Sequence, residues 1–241
     1  GLVDLPGHGA RAGETDPEDF TMERVWSLVD QAAGWVGEGR AEEGSVAPFP
    51  LVGYSMGGRL ALSYAVTYPD RLSALVLESA SPGLETAEAR AQRRAADEEL
   101  ARRLERDGIA PFVDFWEGLP LFESRNSLPA EVRARQRALR LANDPRSLAA
   151  SLPSYWDTLP GLDIPVFLLV GALDRKFVDV ARRMVERLPD GELTVVPGAG
   201  HTVHLERPDA WVEAVVEFLG RGGSGGGEVP ALRAMETPRA R

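Results

Sequence analysis

The chain has 241 residues, of which 44% are hydrophobic and 27% are charged, and its formal net charge is −10. This composition is typical of a globular protein long enough for one α/β domain with an inserted subdomain, and the negative charge argues against a nucleic-acid partner. The sequence has no cysteine, which excludes disulfides and thiolate metal sites, and no apolar run approaches the roughly 20 residues of a membrane span. Because no signal peptide is visible, we expect a soluble, cytoplasmic protein.

The N-terminal part of the chain predicts a strand and then a helix. Residues 1–9 have the pattern of a buried strand that ends in a turn. Gly1 is not an initiator methionine, and a domain rarely begins inside a strand, so we expect the sequence to be truncated, with its first strands missing. Apolar residues recur at helical spacing over 20–36, which predicts an amphipathic helix there.

Strands and helices then alternate along two parts of the chain. Near-continuous apolar runs predict strands that are buried on both faces, and amphipathic segments predict helices between them. The predicted strands are 51–53, 72–78, 164–171 and 192–196, and the predicted helices are 56–68, 177–188 and 209–219. This alternation predicts an α/β fold, with a mostly parallel sheet flanked by helices.

The segment from Ser79 to about Leu152 interrupts this alternation, because it is rich in Arg and Glu and shows no strand pattern. It predicts an inserted helical lid, which prolines divide into short helices. These prolines are Pro82, Pro111, Pro120, Pro129 and Pro145. The predicted organisation is a first core part (1–78), the lid (79–157), a second core part (158–219) and a disordered Gly/Ser- and Pro/Arg-rich tail (220–241).

A G-x-S-x-G motif places Ser55 between Gly53 and Gly57, after an apolar strand and before an amphipathic helix. A strand, a sharp turn and a helix are what a nucleophile elbow requires. We expect the serine to have a strained backbone at the tip of the turn, where side chains at Gly53 and Gly57 would collide. The alternative is an ordinary surface serine in a glycine-rich turn.

The start of the following helix directs free N–H groups towards the serine, so it can stabilise developing negative charge. We expect the Met56 N–H to be one donor of an oxyanion hole. The second donor of such a hole normally comes from a loop after an earlier strand. That loop would lie upstream of Gly1.

A serine nucleophile needs a base, and the sequence has three histidines. His201 follows the last predicted strand, which fits the order serine, acid, histidine, and Gly200 is expected to let this loop approach the elbow closely. His204 is the alternative base, although we expect it to line the loop. His8 lies in the N-terminal turn, where a histidine usually packs or hydrogen-bonds locally.

The acid that orients the base should follow the strand before the last one. Asp174 comes just after the predicted strand 164–171, whereas Asp179 lies one turn into the next helix and is a poorer candidate. The alternative for Asp174 is an N-cap of that helix. Ser55, Asp174 and His201 would all lie at carboxyl ends of parallel strands, which predicts a catalytic triad at one edge of the sheet.

Several stretches resemble the α/β-hydrolase superfamily and, more narrowly, the 2-succinyl-6-hydroxy-2,4-cyclohexadiene-1-carboxylate synthase (SHCHC synthase) family of menaquinone biosynthesis. They are 53–59, 78–84, 91–94 with Asp97, 200–208, and the lid residues 115–116 and 120–122. The elbow is shared across the superfamily, whereas 78–84 and the lid arginines are more specific to the synthases. The resemblance runs from Gly1 to about Leu219, and the connection near Leu152 is shorter than in the family.

This resemblance implies a carbon–oxygen lyase on a hydrolase scaffold that needs no cofactor and no metal. Its reaction would eliminate pyruvate from 2-succinyl-5-enolpyruvyl-6-hydroxy-3-cyclohexene-1-carboxylate, with Ser55 and His201 acting together in taking the proton. The partner would be this small polycarboxylate substrate, and neither nucleic acid nor a membrane is implied. By the match of motifs, Arg59 and Arg93 would hold substrate carboxylates, and Tyr54 and Trp116 would line the pocket.

Each of these roles has a structural alternative. Arg59 could be solvated in the first turn of a helix, Arg93 could belong to a solvated arginine-rich helix face, and Trp116 could be part of the lid core. Two other functions also stay open, a serine esterase or carbon–carbon-bond hydrolase with the same triad and an inactive fragment. The lid arginines favour the lyase over the esterase, because a neutral ester has no carboxylates for them to bind.

Overall fold

The computed structural model describes residues 1–14, 16–36, 47–142, 154–221 and 233–234. Its helices are α1 (Met22–Val36), α2 (Met56–Thr67), α3 (Ala87–Asp107), α4 (Ile109–Glu117), α5 (Ala130–Leu141), α6 (Arg175–Val185), α7 (Val203–Glu206) and α8 (Pro208–Arg221). Its strands are β1 (Phe49–Tyr54), β2 (Leu72–Glu78), β3 (Val166–Gly171), β4 (Gly191–Val196) and β5 (Arg233–Ala234). Within the described ranges, no helix is both long and apolar enough to cross a membrane.

The chain forms two compact units that do not follow the predicted boundaries. One unit contains Gly1–Ala47, Leu84–Leu119 and Pro129–Pro153, and the other contains Pro48–Gly83, Pro120–Leu128 and Ser154–Arg241. Residues 120–128, which the sequence assigns to the lid, therefore group with the strands. The division into a core and a lid stays a prediction.

The strands belong to the second unit and form one parallel sheet in the order β1-β2-β3-β4-β5. The register places Tyr54 opposite Glu78 and Glu78 opposite Leu169, so the carboxyl ends of β1, β2 and β3 lie side by side. Every residue of β3 is buried, as its continuous apolar run predicts. Because parallel strands end at one edge, the turns that follow them share that edge.

Helices of the second unit cover this sheet. Helix α2 contacts β1 and β2, while α6 contacts β3 and β4. Helix α8 contributes Val215 and Phe218 to a core with β3 and β4, where the Phe218 ring stacks on Phe167 with 5.0 Å between centroids. The α/β fold expected from the alternating pattern is confirmed.

The helical unit has a small core of its own. Leu104 of α3 and Phe112 and Val113 of α4 are its buried residues. Between α4 and α5, the Arg137 guanidinium donates to Asp114 and Glu117, and these hydrogen bonds raise the pKa of the guanidinium.

The expected N-terminal strand is wrong. Residues 1–5 form no strand, and Leu2 is fully exposed, because a strand needs a neighbour for its backbone groups and the described strands leave this segment unpaired. Helices α3 and α4 are separated close to Pro111, as expected, and Pro111 lies in the first turn of α4, where its missing N–H would have no acceptor. The break falls at Gly108, whose φ of 82° ends α3.

The predicted disordered tail contains two ordered pieces, since α8 ends at Arg221 and β5 pairs with β4. The other residues after Arg221 lie outside the described residues, as do Pro145, Leu152 and Pro153. The predictions that concern them stay predictions.

Candidate active site

Ser55 lies at the tip of the turn between β1 and α2, with φ of 51° and ψ of −112°. This left-handed conformation is costly for a residue with a side chain and is typical of functional sites. The turn is held from both sides, because the Ser55 N–H donates to Glu78 O at 2.9 Å and the Ser55 carbonyl accepts from Arg59 N at 3.1 Å. The geometry is the strained elbow that the motif predicts.

The glycines around Ser55 have unequal roles. A Cβ atom at Gly53 would lie 2.6 Å from Gly57 O, so a side chain there is excluded, as predicted. The matching prediction for Gly57 is wrong, since an added Cβ would meet no described atom within 4 Å beyond its own helix backbone. Gly58 is the second restricted position, because its Cβ would lie 2.5 Å from the Ala80 methyl group and 2.9 Å from Gly53 O.

Ser55, His201 and Asp174 are hydrogen-bonded in series. The distance from His201 Nε2 to Ser55 Oγ is 3.0 Å, and the distance from His201 Nδ1 to Asp174 Oδ2 is 2.6 Å. The side chains of His201 and Asp174 are only 1% and 4% exposed. Because a carboxylate only accepts, Nδ1–H is the donor to Asp174, which leaves Nε2 to accept the Ser55 proton.

Asp174 has both of the roles that the sequence left open. It is the N-cap of α6, where its Oδ1 accepts from Phe177 N at 3.3 Å, while its other oxygen binds His201. The competing carboxylate, Asp179, is 74% exposed and its nearest described ion-pair partner is Arg182 at 3.7 Å. The structure therefore brings Asp174 to the histidine and leaves Asp179 on the surface.

Three aromatic rings surround the His201 imidazole. The centroids of Phe177, Tyr54 and Phe122 lie 4.6, 5.5 and 5.7 Å from the imidazole centroid. Tyr54 precedes Ser55 and is half-buried, so it stands beside the hydroxyl as a pocket-lining role requires. These rings limit the rotation of the imidazole and lower the local dielectric, which strengthens its bond to Asp174.

His204 is bound to Glu78, a partner that the sequence did not reveal. It is the second residue of the short helix α7, and its Nδ1 lies 2.9 Å from both Glu78 oxygens. Glu78 is 1% exposed and also accepts from Trp211 Nε1 at 2.9 Å. The His204 ring touches Tyr54, with 4.9 Å between centroids. His8, in the other unit, bonds locally to Pro6 O at 2.9 Å, as expected.

A second buried carboxylate, Glu206, also went unassigned in the sequence. Its oxygens accept from Gly200 N at 2.7 Å, Thr202 N at 3.1 Å, Thr202 Oγ1 at 3.0 Å and Ser124 Oγ at 3.2 Å. Gly200 faces this cluster rather than the elbow, because an added Cβ would collide with Ser124 Oγ. The expectation that Gly200 lets the histidine loop approach the elbow closely is therefore wrong. The only signal in the sequence was a glutamate five residues after the histidine.

The expected substrate-binding residues are divided between the two units. Tyr54 and Arg59 belong to the unit that contains Ser55, and Arg59 is half-buried in the first turn of α2. Arg93 and Trp116 belong to the helical unit.

Within the helical unit, Arg93 and Trp116 make contacts that fit their structural alternatives. Arg93 is 55% exposed and pairs with Asp97 at 2.7 Å, as on a solvated helix face. Trp116 stacks on Phe112 with 5.7 Å between centroids and packs against the small helical core. The substrate-binding roles of both residues stay predictions.

Met56 opens α2, so its N–H is one of the four at the start of the helix that have no acceptor within it. It follows Ser55 directly, as the expected oxyanion donor must. A serine hydroxyl, a buried imidazole–carboxylate pair and the N-terminus of a helix can together perform acyl transfer or proton abstraction.

Comparison with known proteins places the chain in a family. A model of the alpha/beta hydrolase family matches residues 2–214. The 2-succinyl-6-hydroxy-2,4-cyclohexadiene-1-carboxylate synthase of Salmonella typhimurium (strain LT2) is 31% identical over 225 residues, which cover 90% of this chain and 82% of that protein. A Bacillus subtilis (strain 168) protein provisionally named as the same synthase is 46% identical over 177 residues, 70% of this chain. The match spans 65% of the Bacillus protein, just under two thirds.

Solved structures give the same result. MenH from S. aureus is 31% identical with a TM-score of 0.80, and the match covers 92% of this chain and 83% of that one. A thermophilic esterase from Thermogutta terrifontis is 26% identical with a TM-score of 0.65, covering 84% of this chain and 73% of that one. The chain therefore belongs to the alpha/beta hydrolase family, and the 2-succinyl-6-hydroxy-2,4-cyclohexadiene-1-carboxylate synthases are among its relatives.

Proposed function

We propose that the protein is a lyase that eliminates pyruvate from 2-succinyl-5-enolpyruvyl-6-hydroxy-3-cyclohexene-1-carboxylate, giving 2-succinyl-6-hydroxy-2,4-cyclohexadiene-1-carboxylate. The observation that carries the proposal is the 31% identity to the Salmonella synthase, because it extends over 82% of that protein and includes both the elbow and the histidine loop. The hydrogen-bonded Ser55, His201 and Asp174 supply a base for the reaction.

In the proposed reaction, His201 Nε2 accepts a proton from Ser55 Oγ as that oxygen takes a proton from the ring carbon of the substrate. The electron pair of the broken C–H bond at C2 forms a double bond between C2 and C3. The existing ring double bond moves from C3–C4 to C4–C5, and the C–O bond at C5 to the enolpyruvyl group breaks. In this proposal Asp174 stabilises the imidazolium, and the Met56 N–H stabilises the negative charge that develops. The enolate of pyruvate leaves and takes up at carbon the proton that His201 holds, which gives pyruvate and restores the base, so no water is consumed.

A second candidate is ester hydrolysis by the same three residues. The likeness to the Thermogutta esterase supports it, as does the Ser55 geometry, which suits a covalent acyl-enzyme equally well. The preference for the lyase rests on sequence similarity and on Arg59. Arg93 does not add to this preference, because it pairs with Asp97 in its own helix.

The test is to incubate the purified protein with the enolpyruvyl cyclohexene substrate and to measure pyruvate with a lactate dehydrogenase couple. Ser55→Ala is the matched control, and a p-nitrophenyl ester is assayed in parallel. We expect pyruvate release that depends on Ser55, with a primary isotope effect when the abstracted hydrogen is deuterium. Ester hydrolysis without pyruvate release would show that the protein is an esterase.

A further inference from the structure

Glu206 is a buried carboxylate that no step of the proposed reaction uses. It is 7% exposed and ends the short helix α7, five residues after His201. A buried carboxylate is costly unless hydrogen bonds satisfy it, so its presence beside the base calls for a reason. Its four donors come from three residues, and two of those residues are the immediate neighbours of His201.

We propose that Glu206 is a positioning residue that holds the main chain on both sides of His201, so that Nε2 faces Ser55. One oxygen, Oε2, accepts from the N–H of Gly200, before the histidine. The other, Oε1, accepts from the N–H and the hydroxyl of Thr202, after it. The carboxylate thus holds the backbone N–H groups of the two residues that flank His201.

The charge of Glu206 is essential to this arrangement. An amide in its place would offer one acceptor oxygen and one NH₂ donor. The hydroxyls of Thr202 and Ser124 can reorient, but the two backbone N–H groups cannot. Whichever way the amide turned, the N–H of Gly200 or that of Thr202 would face another donor. Only a carboxylate accepts from both at once.

Glu206 also reaches the segment that carries Phe122. Ser124 Oγ donates to Glu206 Oε1 at 3.2 Å, and the Phe122 ring packs edge-on against the His201 imidazole. Both residues lie in the 3₁₀ segment Pro120–Ser127, which belongs to the same unit as His201. Glu206 therefore fixes the histidine through the residues on either side of it, and also through the segment that carries the Phe122 ring.

The proposal rests on the proposed function, since it takes His201 to be the base, and its test uses a reaction that does not need the lyase substrate. A fluorophosphonate labels a serine only when its hydroxyl is activated, so the labelling rate of Ser55 reports the alignment of His201. The variants are Glu206→Gln, Ser124→Ala, which keeps the carboxylate and both amide bonds, and Glu213→Gln, which removes an exposed charge from α8.

We expect Glu206→Gln to slow Ser55 labelling by about 10- to 100-fold at temperatures well below its melting point, because a misplacement of about 1 Å costs on the order of 100-fold. Pyruvate release should lose kcat by a similar factor with little change in KM. Ser124→Ala should have a smaller effect, and Glu213→Gln should match the wild type. A folded Glu206→Gln protein that labels at the wild-type rate would overturn the proposal.

A measurement on the wild-type protein tests the proposal even if Glu206→Gln does not fold. Hydrogen exchange of the Gly200 and Thr202 amides should be slow, because both donate to a buried carboxylate. Exchange at the rate of an unprotected loop would show that Glu206 does not hold them. Slow exchange and normal Ser55 labelling without pyruvate release would refute the lyase function alone and leave the positioning role intact.

Discussion

The two adjacent glycines in the first turn of α2 provide a matched pair for testing the elbow. A methyl group at Gly58 would lie 2.5 Å from the Ala80 methyl and 2.9 Å from Gly53 O, and neither atom can rotate away. The same group at Gly57 would meet no described atom within 4 Å outside its own helix backbone. Gly58→Ala and Gly57→Ala thus make the same chemical change in one helical turn, with opposite packing results.

The magnitudes follow from packing and from helix propensity. Overpacking a rigid site costs about 1–3 kcal/mol, and in a chain of this size about 1 kcal/mol changes the melting temperature by 2–4 °C. Both glycines lie in α2, so both variants gain helix propensity and only Gly58→Ala carries the overpacking cost. We therefore expect Gly58→Ala to melt about 2–12 °C below Gly57→Ala. Gly57→Ala replaces a flexible residue in a helix by the best helix former, and should gain up to about 1 kcal/mol, or about 4 °C.

Thermal unfolding followed by far-UV circular dichroism measures both changes. Ser55 labelling in the folded state adds a second readout, because a displaced Gly58 would shift the serine that precedes it by three residues. Equal melting temperatures for the two variants would refute the assignment of Gly58 as the restricted position.

Three further predictions concern the catalytic base, the binding of substrate carboxylates and the hydrogen bond between Trp156 and Gly83. Ser55→Ala and His201→Ala should each lower pyruvate release by several orders of magnitude, and the double variant should be little worse because the two act as a unit; additive losses would contradict this. Arg59→Lys should impair the reaction nearly as much as Arg59→Ala, because an ammonium does not replace a planar fork on a carboxylate; full activity of the lysine variant would indicate a solvated arginine. Trp156→Phe removes the Nε1–H donor to Gly83 O at 2.9 Å but keeps a ring beside Arg183 and Arg187, so it should cost about 1 kcal/mol, or about 2–4 °C in melting. A Phe variant that melts like the wild type would show that this hydrogen bond contributes nothing.

Local pattern sufficed to predict the elements that carry the site. Continuous apolar runs identified β2 and β3, and glycines around a serine identified the elbow, because these features depend on residues close together in the chain. The topological order of serine, acid and histidine was also readable, since each follows a predicted strand. The prediction of a strand in residues 1–5 is wrong, because a strand forms only where a neighbouring strand pairs with it, and an apolar run alone does not provide one.

The sequence by itself determined the α/β class, the elbow at Ser55 and the candidates His201 and Asp174. Only the tertiary structure decided which glycine is sterically restricted, and which carboxylates hold the histidine loop. The reason is that these outcomes depend on contacts between segments far apart in the chain, such as Ser124 with Glu206, 82 residues away, and Glu78 with His204, 126 residues away. A periodic pattern reports which face of an element is buried, but not which polar atom from another segment will meet it there.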